Sequence, residues 1–245
     1  MEWFENEGFW RDFYAYMFSP ERFATAKEEA SQIIALTQCN GGRLLDLCCG
    51  PGRHSVEFAQ RGFQVTGVDR SGFLLQRARE HASQTNTAVE WVQEDMRKFV
   101  RPEQFDLACN LFTSFGYFET EEDDLQVLRN LYESLKEGGV LIIDVIGKER
   151  LARVYQSAMC FELSDGSVLV QRPQIRDDWC RVRTEWILMK DSRARSVTFE
   201  HNLYSGRELK DRLLSSGFSQ VQLLGNLAGA PYDLNALRLI AVAKK

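Results

Sequence analysis

Short apolar runs alternate along the chain with stretches whose apolar positions recur every three or four residues. That is the rhythm of a parallel sheet covered by helices on both faces. The strands it predicts are 43–48, 63–69, 88–93, 105–110 and 140–146. Before the last of them Leu125, Leu128, Leu131 and Leu135 repeat at helical spacing, which predicts a helix over 121–136 that buries one stripe and stops at Gly138-Gly139. From 159 to 204 the period changes to two, with strands predicted at 167–173, 179–189 and 195–203 and turn signals at Ser164-Asp165-Gly166, Asp177-Asp178 and Asp191-Ser192. This reads as an antiparallel meander in which Val168, Val170, Val182, Trp186 and Leu188 need a covering surface. A helix over 205–216, stopped by Gly217, and two strands, 220–224 and 237–243, follow.

With 245 residues the chain can bury one full α/β core, interrupted here by a β insert. The formal charge of −5 argues against a general nucleic-acid binder, which needs many phosphate-neutralising cations. The basic run 172–195 also holds Asp177, Asp178, Glu185 and Asp191, and reads as a solvated strand face. Six cysteines without a C-x-x-C pair read as reduced thiols of a cytoplasmic protein. Nine aromatic residues crowd the first 23 positions, but Glu2, Glu5, Glu7, Arg11 and Asp12 interrupt them, so this is neither a membrane span nor a secretory leader. They suit a lid over an apolar cavity or, equally, an amphipathic helix docked on the sheet.

The chemistry concentrates in Leu44-Leu45-Asp46-Leu47-Cys48-Cys49-Gly50-Pro51-Gly52-Arg53-His54, a strand running into a glycine-bent loop that opens a helix. Such a loop brings backbone N–H groups against a nucleotide-like ligand. The next strand ends in Asp69, nineteen residues after Gly50, where a carboxylate can accept both hydroxyls of a ribose. Asp46 would repel a pyrophosphate, but suits a cationic ligand or loop N–H donors.

The pattern D-L-C-C-G-P-G resembles the first motif, D-x-G-x-G-x-G, of class I S-adenosylmethionine-dependent methyltransferases, except that Cys48 and Cys49 stand where the family commonly has Gly-Cys or Gly-Xaa. The resemblance is strong over 40–146, with the C-terminal hairpin in support. It implies a doubly wound, Rossmann-like sheet of seven mostly parallel strands with an antiparallel last strand. The corresponding layout is lid helices at 1–40, a catalytic domain at 41–150 and 205–245, and an antiparallel insert at 151–204 serving as substrate lid or dimer surface. The implied cofactor is S-adenosylmethionine, held by Asp46, Cys48, Gly50, Gly52, Asp69 with its neighbour Arg70, Asp95, Met96 and Asn110. Asp95 would accept from the adenine amino group beside Met96, or simply cap a helix. Arg22 would pair with the methionyl carboxylate.

Asn110 is followed by Leu-Phe-Thr, not by the Pro-Pro of adenine and glutamine methylases, and no carboxylate cluster for a metal is evident. The expected reaction is therefore metal-independent transfer to an O or N atom of a small molecule, by a monomer or homodimer with no nucleic-acid or membrane partner. Tyr16, Phe115 and Tyr117 are candidate acceptor contacts. His201, Tyr14 and Tyr204 are candidate bases, His201 foremost, with Tyr16 and His54 behind them and His54 read rather as a capping or supporting contact, although alignment alone can suffice. Two rivals stand beside this reading. One is a nicotinamide-dependent reductase of the short-chain type, through Tyr132-x-x-x-Lys136; the other is a non-catalytic module that binds S-adenosylmethionine.

Overall fold

The computed structural model describes residues 2–245. Seven strands form one sheet: β1 (Arg43–Leu47), β2 (Gln64–Asp69), β3 (Glu90–Gln93), β4 (Phe105–Asn110), β5 (Leu135–Val145), β10 (Gln220–Leu224) and β11 (Leu239–Lys244). Their order is β10-β11-β5-β4-β1-β2-β3, and β11 alone runs antiparallel to its neighbours. The chain steps outward from β1 to β2 and β3, then returns to place β4 on the other side of β1. This reversal opens a crevice above the carboxyl ends of β1 and β4, where open α/β sheets bind ligands.

Alternation along β1 feeds two cores. Leu44 packs with Phe58 of α3 (Arg53–Gln60) and with Ala30 and Ile33 of α2 (Pro20–Thr37). Leu45 and Leu47 pack on the opposite face with Leu128 and Leu131 of α5 (Glu121–Ser134) and Leu209 of α7 (Gly206–Ser215). The second half of α2 thus lies under the sheet, and only the chain before it lies over the crevice. On the β2 side, α4 (Gly72–Gln84) is capped by the Ser71 hydroxyl, which accepts from the Leu74 N–H.

One predicted boundary moves. The helix α5 ends at Ser134, not at Lys136, and Gly138-Gly139 lie inside β5. Leu135 already pairs with Phe105, and the register shifts before Leu107 meets Val140, so 136–139 form an irregularity in the strand. Lys136 holds Asp106 at 2.8 Å, a contact between residues thirty positions apart that local periodicity does not reveal.

The insert opens with α6 (Lys148–Val154), which the periodicity did not show, and continues as a four-stranded meander. Its strands are β6 (Met159–Glu162), β7 (Val168–Arg176), β8 (Arg181–Lys190) and β9 (Arg193–Asn202), each paired with the next. The covered face, however, differs by one residue on β7. Leu169, not Val168 or Val170, packs with Trp186, Leu188 and Val197 against Phe9 and Phe13 of α1 (Glu7–Met17). With apolar residues at 168, 169 and 170, the period of two has no phase of its own; pairing Leu169 with Leu188 decides it. Burying Phe9 and Phe13 contributes roughly 1.5–3 kcal/mol each. No helix among the described residues is long and apolar enough to cross a membrane.

Candidate functional site

The glycine loop leaves β1 through three residues in left-handed backbone: Cys48 at φ 63°, Gly50 at φ 56° and Gly52 at φ 75°. A Cβ on Gly52 would lie 2.5 Å from the Trp91 ring and 3.0 Å from the Ala78 Cβ, so glycine is required both by conformation and by space. Cys48 occupies the first glycine position of the motif and carries a left-handed cost of about 1–2 kcal/mol. Its Sγ lies 3.4 Å from the Met96 sulfur, and both residues line the crevice.

Three carboxylates stand at the strand ends. Asp46 accepts from the Ser55 hydroxyl at 2.5 Å, and burial pushes its pKa up. Asp69 is pushed up to about 6 by burial, against the pull of the Ser71 and Gly50 N–H groups, which donate to it at 2.9 and 2.8 Å. Asp95 is buried too, but the guanidinium of Arg97, with the Arg97 N–H and Arg70, outweighs that and holds it below its ordinary value. Arg70 also pairs with Glu5, and Arg97 with Glu2 at 3.2 Å. The chain just before α1 is thereby latched to this rim, and both Asp95 oxygens face arginine instead of standing free for an adenine amino group.

On the β4 side the loop 111–118 forms the opposite wall. Phe112 and Thr113 are left-handed, at φ 55° and 59°. Asp144, near the end of β5, accepts from the Phe112 N–H through its carboxylate at 3.2 Å and from the Thr113 N–H through its carbonyl at 2.8 Å. Arg238 grips Asp144 at 2.5 Å and donates to the Thr113 hydroxyl at 3.2 Å. Strained backbone held by several contacts is typical of a functional wall. His54 stacks on Phe112 while its Nε2 meets Glu29 at 2.7 Å. Trp3, Phe4, Trp10, Met17, Phe18 and Arg22 complete the lining from the lid side.

Residues 44–139 match the methyltransferase domain family, and they span β1 to β4, α5 and the start of β5. Residues 44–139 form a methyltransferase domain, and the fold around it is that of class I, S-adenosylmethionine-dependent methyltransferases. An S-adenosylmethionine-dependent methyltransferase of Clostridium acetobutylicum ATCC 824 superposes at TM-score 0.79 and 16% identity over 97% of both chains. An amino pentose methyltransferase of Micromonospora echinaspora, solved with S-adenosylmethionine bound, superposes at TM-score 0.71 and 23% identity over 90% of both chains. At such identities these likenesses are of fold. A glycine/sarcosine N-methyltransferase of Halorhodospira halochloris is 27% identical over 226 residues, 90% of this chain and 82% of that one. For other curated relatives the matched stretch is shorter, and the chain spans about half their length.

The methyltransferase crevice gathers Arg22, Asp46, Cys48, Gly50, Asp69, Arg70, Asp95, Met96 and Tyr117 of the residues singled out from sequence. Gly52 and Asn110 support it from behind: the Asn110 amide donates to the Leu47 carbonyl at 3.2 Å. It does not gather the other candidates. Tyr14 packs on Phe18 and Phe73, and Tyr16 faces the insert, where Gln171 donates to its hydroxyl at 3.0 Å. Phe115 is core, stacked near Tyr204, whose hydroxyl donates to buried Asp124. His201 sits beside Tyr117, its ring centroid 5.0 Å away, with Nδ1 buried and unpartnered; burial and the Arg181 charge pull it down to about 4. The Tyr132-x-x-x-Lys136 pair of the reductase reading is dispersed: Tyr132 packs on Phe218 and Lys136 holds Asp106. Asp144 and Arg238 were not singled out, and only the strand-end position of Asp144 hinted at a role.

The residues fit the cofactor on two observations. Arg22 lines the crevice with no carboxylate partner among the described residues, its guanidinium bonded only to the Met17 carbonyl at 3.1 Å. Trp3, also in the lining, has a buried Nε1 without a partner. A ligand bringing a carboxylate and acceptor atoms would satisfy both.

Proposed function

We propose that the chain transfers a methyl group from S-adenosylmethionine to an amine of a small molecule, by alignment instead of by a protein base. The observation that carries this is the acceptor wall, whose polar side chains are Thr113, Ser114 and Tyr117. Tyr117 is pushed up to about 12 by burial, so none of the three takes a proton near neutrality. S-adenosylmethionine, when bound, supplies a methyl on a sulfonium whose departure leaves a neutral thioether. Asp69 would accept from the ribose hydroxyls, and Arg22 would hold the methionyl carboxylate. Trp3, Phe4, Phe112 and Phe118 would exclude water and place aromatic faces near the positive sulfur. An amine delivered neutral needs only in-line placement. Glycine and amino-sugar acceptors of the similar proteins named above support an amine; the one histidine among the described residues of the crevice lining, His54, is held by Glu29 through its Nε2 at 2.7 Å and stacked on Phe112.

Calorimetry tests the cofactor: S-adenosylhomocysteine should bind and NADPH should not, and the reverse would restore the reductase reading. Labelled methyl from S-adenosylmethionine should then appear on a primary or secondary amine in an acceptor panel. His201→Ala should lower kcat less than about tenfold, whereas a loss of 10²–10⁴-fold is the usual signature of a removed general base and would reinstate His201 in that role.

A further inference from the structure

The carboxyl edge of the sheet on the β5–β11 side gathers three arginines, Arg150, Arg153 and Arg238. Arg238 immediately precedes β11 and is neutralised by Asp144. The helix α6 leaves the same edge after β5, and Arg153 on it donates to the Ala236 carbonyl at 2.8 Å, two residues before Arg238. Arg150 lies one turn earlier on that side of α6, half-buried, with no hydrogen bond or ion pair among the described residues. Burial and the charges of Arg238 and Arg153 pull its pKa below the ordinary arginine value. The nearby Glu149 is already engaged, accepting from the Tyr232 hydroxyl at 2.6 Å and the Gly206 N–H at 3.0 Å. With the Glu149 carboxylate turned to those two groups, Arg150 and Arg153 form no ion pair among the described residues. Like charges so placed repel one another, and an entering anion relieves them.

The cluster touches the reaction wall directly. Arg238 donates to Thr113 and stacks over Phe112, both in the crevice lining. We infer that Arg150, Arg153 and Arg238 anchor the methyl acceptor by a phosphoryl group while its nucleophilic atom reaches past Thr113 and Tyr117 to the methyl donor. A dianion matches two guanidiniums without a carboxylate partner better than a single carboxylate does, and arginine's planar fork suits phosphoryl oxygens. The inference rests on the methyl-transfer reading given above and assigns a substrate class to it.

The test uses the full chain saturated with S-adenosylhomocysteine, titrated with inorganic phosphate, inorganic pyrophosphate or acetate at constant ionic strength. Phosphate and pyrophosphate should bind at millimolar concentration or below, and acetate more weakly. Arg150→Gln should weaken the phosphate arms about tenfold or more, and Arg150→Lys should keep part of the binding. Arg207→Gln, on the exposed face of α7, should change nothing. No binding by the wild type, or equal binding by wild type and Arg150→Gln, would overturn the site. Acetate binding as tightly as phosphate would overturn the phosphoryl class. The S-adenosylhomocysteine titration that precedes each run separates the two readings: its failure would indict the cofactor assignment, and its success with silent anion arms would indict this cluster alone.

Discussion

Gly52→Val should lower the melting temperature by about 5–15 °C and abolish measurable S-adenosylhomocysteine binding. Two effects add. The left-handed backbone at φ 75° costs a residue with a Cβ about 1–2 kcal/mol, and more when that Cβ is branched. The added atoms also enter space held by Trp91 and Ala78, an overpacking worth about 1–3 kcal/mol. Trp91 belongs to β3, so it cannot swing aside without disturbing the sheet edge. Gly41→Ala, with open space at its Cβ, is the control. A Gly52→Val protein that melts with the wild type and binds normally would show that the loop tolerates another course.

Asp69→Ala should weaken S-adenosylhomocysteine binding by about 1.5–3 kcal/mol, the range for hydrogen bonds to a charged group. Because this carboxylate also accepts from the Gly50 and Ser71 N–H groups, Asp69→Asn is the sharper probe; it keeps one acceptor oxygen and loses the charge. The wild type should reveal that charge through pH. Asp69 is pushed up to about 6 in the free protein, whereas ribose hydroxyls bind the ionised form. Below pH 6 binding must expel a proton, so affinity should fall towards tenfold per pH unit between about 6 and 4, and level off above 7. Folding carries the opposite sign in the same window: a carboxyl raised above its unfolded value stabilises the fold at low pH, and that contribution is lost as pH rises from about 4 to 6. Calorimetry at pH 5 and 7.5 on wild type and Asp69→Asn reads both. Identical pH profiles for the two proteins would remove Asp69 from the ribose.

The parallel sheet was legible because each buried strand is a run of apolar residues between turn signals, and the glycine loop because its spacing is local. Legibility failed where a decision belongs to pairing. Val168, Leu169 and Val170 offer both faces of β7 equally, and only the partner strand chooses between them. The end of α5 was misplaced because Leu135 fits a helical stripe as well as it fits a strand paired with Phe105. The clamp on the 111–118 wall was invisible for another reason: Asp144 and Arg238, which hold Thr113, stand 94 residues apart in the chain. Asp95 was found by position, yet its engagement by Arg70 and Arg97 is tertiary. Tyr14, Tyr204 and His201 stand near the right elements in the chain, but proximity in sequence says little about which way a ring points.

The helix α1 buries Phe9 and Phe13 against the insert, and Trp10 and Met17, packed against the same cluster, also line the crevice. One run of side chains therefore makes the roof of the crevice and the cover of the β meander a single piece of apolar furniture. A hybrid enzyme that grafts only 41–150 and 205–245 onto another scaffold would leave the crevice unroofed. One that keeps α1 but trims the meander would put two phenylalanines into water. The transplantable unit is therefore the N-terminal helices, sheet domain and insert together, and the insert cannot be swapped without redesigning the helix that covers it.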